Sequence, residues 1–316
     1  DETFQCSGSL VVADRRIRCH KAGGHGTETF VQGVQNSCNP VFMTLALRLG
    51  ADRFYEYLKA FRFDQKTGID ISGEAVGIMY NVGDVGPVEL ATMGFGQSIA
   101  ITPMQLLRAA ASAVNGGNLI TPHFGTKIQD SEGVTLKTLE FPVEKGVLTP
   151  EVSRTLREVL ETVVSEGGGS KAAITGYRIG GKTATSQKLP RSAKKYISSF
   201  LCFTPVENAQ IMTLMLIDEP EGIYYGGTVC APVVRELLEN VLPYLGIQPE
   251  YTEEELQQED VSLSEVPDLL GMSLAQAKKT AGMELDVLGE GEQVIEQFPA
   301  SGEWINTDSK IVVYLG

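Results

Sequence analysis

The stretch Gly181-Lys182-Thr183-Ala184-Thr185 begins the part of the sequence that decides the fold. It lies among strand-like runs at 177–179, 182–185, 197–203 and 211–217. Helices are predicted on both sides of these runs, at 41–49, 52–60, 102–114, 150–165 and 231–245. Helices followed by antiparallel strands and a closing helix indicate an α+β domain, with the helices packed on the sheet.

A second short motif, Ser37-Cys38-Asn39, lies directly before Pro40 and a predicted helix. A hydroxyl and an amide two positions apart can relay a proton and bind a substrate amide. In the strand motif, a lysine beside two threonines can hold a carboxylate, and a strand N–H can face a developing oxyanion. Each motif has a plainer interpretation, because Ser37 could cap the helix and the strand residues could face solvent.

The charge is distributed unevenly along the 316 residues. Residues 1–249 carry 23 basic and 25 acidic groups, whereas residues 250–316 carry 3 basic and 15 acidic groups. Nucleic-acid binding needs clustered Lys and Arg to neutralise phosphates, so no nucleic-acid partner is predicted. The imbalance also indicates two regions of different character. No run of about 18 apolar residues is present, so no membrane span is predicted within the chain.

The five cysteines and three histidines show no spacing typical of a metal site, so neither a metal nor another cofactor is expected. Cys38, Cys202 and Cys230 lie among apolar or small neighbours, where buried inert thiols are the usual outcome. Residues 3–19 are predicted to form a short β-hairpin with strands at 9–12 and 16–18. Cys6 and Cys19 flank these strands and could form a disulfide in an oxidising compartment. Whether they pair stays open, because connectivity cannot be read from the sequence.

Several stretches together carry a resemblance to a known family. They are GHG at 24–26, VQNSCNP at 34–40, KTGID at 66–70, GFGQSIAITPMQL at 94–106 and NGG at 115–117. In these residues the chain resembles class B penicillin-binding proteins, over nearly its whole length. The C-terminal part resembles a PASTA domain, a module named for penicillin-binding proteins and serine/threonine kinases. Because the chain has a single such module, and two cysteines ahead of the S-x-N motif, it is most similar to a sporulation-related subgroup of this family.

The resemblance implies the fold shared by penicillin-binding proteins and serine β-lactamases, which agrees with the α+β pattern. It places a transpeptidase domain at 1–247, an acidic linker at 248–262 and a small α+β PASTA domain at 263–316. The family's nucleophile lies in an S-x-x-K motif upstream of S-x-N, and no such motif precedes Ser37. The transpeptidase domain is therefore expected to be incomplete, and the chain by itself is expected not to react covalently with penicillin.

The family's chemistry gives each matching residue an expected role. Members form an acyl-serine intermediate with the D-Ala-D-Ala end of a peptidoglycan stem peptide, and they also bind β-lactams. Ser37 would relay a proton to the leaving amine, Asn39 would hold the substrate amide, and Lys182 would supply positive potential. Thr183 and Thr185 would bind the carboxylate, and the Thr185 N–H would form half of the oxyanion hole.

The resemblance also implies partners and a location. Family members act on the extracytoplasmic face of the cell membrane, to which an amino-terminal anchor holds them. A glycosyltransferase and proteins of division or sporulation are the protein partners it suggests. Two other functions stay open. One is a non-catalytic scaffold that binds the cell wall. The other is a β-lactamase, although no motif marks the deacylating glutamate that such an enzyme needs.

Two literal motif matches are interpreted as chance. Ser192-Ala193-Lys194-Lys195 fits S-x-x-K but follows the strand motif, in a basic loop. Lys66-Thr67-Gly68 fits K-T-G but lies in a turn-rich region. The strand motif itself departs from the family by carrying Ala184 where glycine is usual. Because Thr183 and Thr185 face away from Lys182 in an ideal strand, a twist or bulge is expected there, and Ala184 should disturb it modestly.

Overall fold

The computed structural model describes residues 2–257 and 262–316, which divide into two compact units. The first unit contains residues 2–170 and 180–230, and the second contains residues 171–179, 231–257 and 262–316. Across these described ranges, no helix has both the length and the apolar character needed to cross a bilayer. The predicted linker at 248–262 lies partly outside them, because residues 258–261 are not described.

Three helices of the first unit begin at a threonine N-cap, at Thr29, Thr102 and Thr149. The helices of this unit are α1 (Phe30–Gln35), α2 (Asn39–Leu49), α3 (Ala51–Ala60), α4 (Pro87–Gly94), α5 (Pro103–Val114), α6 (Pro150–Ser165) and α7 (Gly226–Val229). At the start of α5, Thr102 Oγ1 accepts from the Gln105 N–H at 3.1 Å, and Gln105 Oε1 accepts from the Thr102 N–H at 3.0 Å. This capping box confirms the predicted helix start.

The strands of the first unit form several small sheets and one central sheet. They are β1 (Thr3–Cys6), β2 (Ser9–Val12), β3 (Arg15–Arg18), β4 (Gly26–Thr29), β5 (Leu119–Ile120), β6 (Lys127–Gln129), β7 (Thr135–Thr138), β8 (Val143–Glu144), β9 (Gly180–Gln187), β10 (Tyr196–Thr204) and β11 (Ile211–Asp218). The predicted hairpin is β2 paired with β3. The prediction that residues 3–19 form a single hairpin is wrong, however, because β1 pairs with β4.

The central sheet has the order β11-β10-β9, with both pairings antiparallel. Alternate residues of β10 point to one face and are buried, namely Ser198, Phe200, Cys202 and Thr204. Helix α6 lies against β9, and its Val163 is fully buried. These contacts confirm the predicted α+β arrangement of helices on an antiparallel sheet. They also leave β9, which carries the strand motif, at one edge of the sheet.

The second unit is a small α+β module preceded by a long helix. Its elements are α8 (Ala231–Tyr244), α9 (Glu253–Gln257), β12 (Leu263–Glu265), α10 (Leu274–Ala281), β13 (Glu284–Gly289), β14 (Val294–Phe298), β15 (Trp304–Asn306) and β16 (Lys310–Leu315). Strand β16 pairs in parallel with β13 and antiparallel with β14. Leu269, Ile311 and Val313 form part of its fully buried core.

The end of α8 packs inside this second unit. The ring of Tyr244 lies 5.1 Å from that of Phe298, edge to face, and Phe298 in turn contacts Tyr314 edge to face at 6.3 Å. The compact units therefore separate at residue 230, whereas the sequence predicted a boundary at 247. The end of the transpeptidase domain at residue 247 stays a prediction.

Candidate active site

Ser37 lies in the turn that joins α1 to α2, where its φ of +52° falls in the left-handed region. The Ser37 N–H donates to the Val34 carbonyl at 3.1 Å, and the Cys38 N–H donates to the Gly33 carbonyl at 2.9 Å. Cys38, not Ser37, is the N-cap residue of α2, and no side chain caps that end. The alternative interpretation of Ser37 as a helix cap is therefore wrong.

Lys182 on β9 reaches this turn, although 145 residues separate it from Ser37. Its Nζ donates to Ser37 Oγ at 2.8 Å and to the Thr183 carbonyl at 2.9 Å. Burial of the ammonium group lowers the pKa of Lys182 to about 8. Because an ammonium group has donors only, Ser37 Oγ accepts this hydrogen bond and can direct its own O–H to a third group. The two motifs thus meet at one place.

Thr183 and Thr185 lie two residues apart on β9 and share one face of the strand. Both are half-buried. Thr185 Oγ1 accepts from the Gly226 N–H at 3.2 Å, at the start of α7. In the sheet order, β9 is an edge strand, so its backbone N–H groups point alternately toward β10 and toward the open side. Backbone donors are therefore available along the edge that carries the threonines.

The expected bulge at Ala184 is not found. Strand β9 pairs with β10 in unbroken register from Gly180, opposite Phe203, to Gln187, opposite Tyr196. The expectation was wrong because it left out the length of the lysine side chain. Four methylene groups let Nζ of Lys182 bend back along its own strand to the Thr183 carbonyl and still reach Ser37.

Asn39 is held at the first turn of α2. Its Nδ2 donates to the backbone carbonyl of Arg18, the last residue of β3, at 3.0 Å. This hydrogen bond fixes the orientation of the amide group and ties the S-x-N turn to the β2–β3 hairpin. Asn39 is half-buried, as is Ser37, so both residues of the motif keep an accessible side.

The structure gives the two chance matches ordinary positions. Glu74 clamps the turn at Lys66-Thr67-Gly68: its Oε1 accepts from the N–H and Oγ1 of Thr67, both at 2.6 Å, and its Oε2 accepts from the Gly68 N–H at 3.1 Å. Ser192 is exposed in the 3₁₀ turn Arg191–Ala193, beyond the far end of β9. The five steps from Lys182 to Gln187 alone span roughly 16 Å of extended strand.

Cys6 and Cys19 are free thiols, so the disulfide considered for this pair is not formed. The sulfur of Cys19 instead contacts Cys38, the middle residue of the S-x-N motif. Their hydrogen bond lowers the pKa of Cys19 and raises that of Cys38. Sequence reasoning missed this contact, because Cys19 and Cys38 belong to separate segments, which the Asn39–Arg18 hydrogen bond joins only in the folded chain. Two histidines near one of the cysteines, His20 and His25, were the available hint.

Gly226 is a second feature that the sequence analysis missed, and it supports a stability prediction. A Cβ at this position would lie 2.2 Å from the Ser199 carbonyl oxygen and 2.6 Å from the Ala184 carbonyl oxygen. Gly226→Ala is therefore expected to push α7 away from the sheet and to lower the free energy of unfolding by about 1–3 kcal/mol. Urea denaturation measures this. Gly83→Ala is the control, because Gly83 has open space around its Cβ position. Equal stability of the two variants would contradict the prediction.

Comparisons with known proteins fit this geometry. Residues 1–239 match the family model of the penicillin binding protein transpeptidase domain, and residues 264–316 match that of the PASTA domain. The chain is 41% identical over 324 residues to Stage V sporulation protein D of Bacillus subtilis, with 99% of this chain and 50% of that protein covered. It is 29% identical over 225 residues to the probable peptidoglycan D,D-transpeptidase PenA of Neisseria meningitidis, with 69% and 37% covered.

The chain thus spans about half, or less, of the length of these curated relatives. Among solved structures, the apo transpeptidase domain of penicillin-binding protein 3 from Burkholderia pseudomallei is similar, with a TM-score of 0.69 and 27% identity. That comparison covers 79% of this chain and 74% of the other.

Proposed function

The chain belongs to the penicillin-binding protein transpeptidase family, and we propose that the whole protein is a peptidoglycan D,D-transpeptidase that cross-links stem peptides. The contact between Lys182 Nζ and Ser37 Oγ at 2.8 Å is the observation that carries this proposal. It joins the two motifs on which the chemistry depends. We propose that the attacking serine comes from an S-x-x-K segment of the same protein, outside the residues of this chain.

In the first half-reaction, the serine oxygen attacks the carbonyl carbon of the D-Ala-D-Ala peptide bond, and the serine proton passes to the lysine of the S-x-x-K segment. The C–N bond of the tetrahedral intermediate then breaks, and the terminal D-Ala leaves as an amine that has gained a proton. Ser37 is placed to deliver this proton, because its Oγ already accepts from Lys182 and its O–H can donate to the leaving nitrogen. Lys182 then returns a proton to Ser37. An amine from another strand next attacks the acyl carbon and forms the new peptide bond, while the bond to the serine oxygen breaks. The lysine of the S-x-x-K segment returns the proton to that oxygen, and the proton lost by the amine restores the ammonium form of Lys182 through Ser37.

The other residues of the two motifs are proposed to bind the substrate rather than to transfer protons. The hydroxyl groups of Thr183 and Thr185 share a face of β9 and are proposed to hold the carboxylate of the substrate or of a β-lactam. The Thr185 N–H, on an edge strand, is proposed as one donor of the oxyanion hole, where it would stabilise the charge that develops on the carbonyl oxygen. Asn39, oriented by the Arg18 carbonyl, is proposed to hold the substrate amide.

The same proposal assigns the protein a place and partners. Its substrate lies outside the cytoplasmic membrane, so we place the protein on the extracytoplasmic face, held by an anchor outside this chain. A glycosyltransferase that supplies uncross-linked glycan strands is the expected partner, together with division or sporulation proteins. The similarity to a sporulation protein favours cell-wall or spore-cortex peptidoglycan as the product.

Covalent labelling with a fluorescent penicillin tests the proposal, in the protein that contains this chain together with its S-x-x-K segment. We expect about one label per chain, on that upstream serine, with turnover slow on the time scale of the assay. Release of D-Ala from a stem-peptide substrate is the second measurement. A label on Ser192 would refute the proposed nucleophile. No label and no D-Ala release would refute the proposed activity and favour a scaffold. Rapid loss of the label by hydrolysis would instead indicate a β-lactamase.

A further inference from the structure

Four side chains from four separate segments meet directly behind the S-x-N turn. Cys6 ends β1, Cys19 follows β3, His25 precedes β4, and Cys38 lies in the turn between α1 and α2. One ligand atom from each of them lies within 4.8 Å of all the others. The three cysteines are at most 6% exposed, and the His25 side chain is 5% exposed. Three sulfurs and one imidazole therefore face one another in a closed, buried space.

The spacing is close to what a tetrahedral zinc ion requires. Zinc–sulfur bonds of about 2.3 Å and zinc–nitrogen bonds of about 2.0 Å place the ligand atoms of a tetrahedron roughly 3.5–3.8 Å apart. Cys19 Sγ lies 3.7 Å from His25 Nδ1, within that range. The widest separation permitted by the 4.8 Å limit exceeds it by about 1 Å, which small side-chain rotations can close. Three soft sulfur ligands and one imidazole favour zinc over magnesium or calcium.

A buried carboxylate next to the cluster supplies an independent indication. Glu28 is 3% exposed, and its Oε2 accepts from Asn36 Nδ2 at 3.0 Å. Its Oε1 is buried without a hydrogen-bond partner and lies 3.8 Å from Nδ1 of His25. Nδ1 is also the nitrogen that faces the Cys19 sulfur, so Glu28 lies beside the ligand nitrogen of His25. A buried carboxylate oxygen without a partner, next to four possible ligand groups, points to a cation at this place.

We propose that Cys6, Cys19, His25 and Cys38 bind one zinc ion in a structural Cys₃His site. With four protein ligands, the site has no open position for a substrate, so its role is to position other groups. Cys38 lies between Ser37 and Asn39, and the Asn39 amide is tied to the carbonyl of Arg18, which precedes Cys19. A zinc ion here would fasten the S-x-N turn to the β1–β4 pair and to the end of β3.

Zinc content and cobalt spectroscopy of the full chain test this proposal. The chain is purified under a phosphine reductant, incubated with zinc and desalted. We expect about one zinc per chain and, after denaturation, five free thiols. Cobalt in place of zinc should give a thiolate-to-cobalt charge-transfer band and the intense visible bands of tetrahedral coordination. A zinc chelator should lower the melting temperature of the unmutated chain, as it does for proteins with structural zinc.

Variants locate the ion. Cys6→Ser and His25→Ala should each reduce bound zinc to below about a tenth of an equivalent after desalting, because each removes one of four ligands. Two matched controls should retain it: Cys202→Ala, a buried cysteine outside the cluster, and His20→Ala. His20 is an exposed histidine whose Nδ1 lies 3.8 Å from the same Cys19 sulfur. Glu28→Gln should weaken zinc affinity, because it removes a negative charge beside the ion, and should keep the tetrahedral cobalt spectrum.

Three results would overturn the proposal. The first is a chain with five free thiols that retains no zinc. The second is zinc retained equally by the Cys6 and His25 variants. The third is a disulfide among the three cysteines that persists under the reductant. The measurements on the unmutated chain need no variant, so a variant that fails to fold leaves the proposal open to refutation. They also need no transpeptidase activity, so they are independent of the proposed function.

Discussion

Lys182→Met is expected to slow acylation by penicillin about 10²–10⁴-fold while making the protein more stable. The loss follows from the two contacts of Nζ, because methionine can donate neither to Ser37 Oγ nor to the Thr183 carbonyl. The proton relay and the positive potential for the carboxylate would then disappear together. Methionine nevertheless fills a similar volume along the strand, so the fold has no reason to change.

The gain in stability follows from the lowered pKa of Lys182. Its pKa is about 8 in the folded protein, against an ordinary value of 10.5, so between these values the unfolded state binds more protons. Stability of the unmutated protein therefore rises as the pH increases from 8 toward 10.5. Below pH 8 both states carry the proton, and the penalty for burying the charge is present in full. The advantage of Lys182→Met should be greatest there and vanish near pH 10.5.

The same pKa predicts how the reaction of the unmutated protein depends on pH. The ammonium form of Lys182 makes the hydrogen bond to Ser37, so the second-order rate constant for penicillin labelling should fall as the pH rises through about 8. Stopped-time labelling from pH 6.5 to 9.5 measures this in the protein that includes the S-x-x-K segment. An increase in rate through pH 8 would show that neutral Lys182 acts as a base.

Thermal melting at pH 7 and pH 10 completes the test of Lys182→Met. We expect an increase in Tm on the order of 5 °C at pH 7 and a much smaller one at pH 10. Lys127→Met is the control, because Lys127 is an exposed lysine on β6, away from the two motifs. It should change neither the labelling rate nor the pH dependence of Tm. Full labelling activity in Lys182→Met would contradict the relay.

Ser37→Gly and Ser37→Ala are expected to slow acylation alike, by about 10²–10³-fold, but to differ in stability. Both remove the hydroxyl that is proposed to relay the proton. Only glycine also relieves the left-handed backbone at this position, where φ is +52°. We therefore expect Ser37→Gly to be more stable than Ser37→Ala by about 1 kcal/mol. Labelling rates and urea denaturation of both variants give the comparison.

Ser98 provides the matched control for Ser37. It is also a serine with a left-handed backbone, at φ +62°, and its Oγ contacts Thr92 Oγ1 at 2.8 Å. Ser98→Gly and Ser98→Ala should show a similar difference in stability but leave the labelling rate unchanged. A Ser37→Gly protein with normal labelling would remove the hydroxyl from the mechanism. Equal stability of the two Ser37 variants would show that the turn carries no backbone strain.

The helices and strands could be predicted where their determinants are local. The adjacent residues Thr102 and Pro103 mark the start of α5, and the sequence predicts α6 with the bounds that the structure shows. The long strands β10 and β11 likewise follow from their own apolar runs. The sequence also predicted that both motifs would share one site, although only family resemblance connected them.

What could not be predicted depends on contacts between distant segments. The pairing of β1 with β4 has no local signature, and the cysteine–histidine cluster arises from it. The fit of Gly226 against two carbonyl oxygens follows from how closely α7 approaches the sheet. The contact of Lys182 Nζ with the Thr183 carbonyl depends on the conformation of the lysine side chain. Ideal strand geometry predicts only the face from which that side chain leaves the backbone.

The separation of 145 residues between Ser37 and Lys182 also has a consequence for biogenesis. Closing so long a loop carries a large entropic penalty and is slow, because many intervening elements must first assemble. During synthesis Ser37 leaves the ribosome well before β9 exists, so the emerging polypeptide holds only half of its reactive centre. The proposed transpeptidase activity therefore arises only late in synthesis, when β9 joins the sheet. Incomplete chains, which lack Lys182, are expected to be inactive.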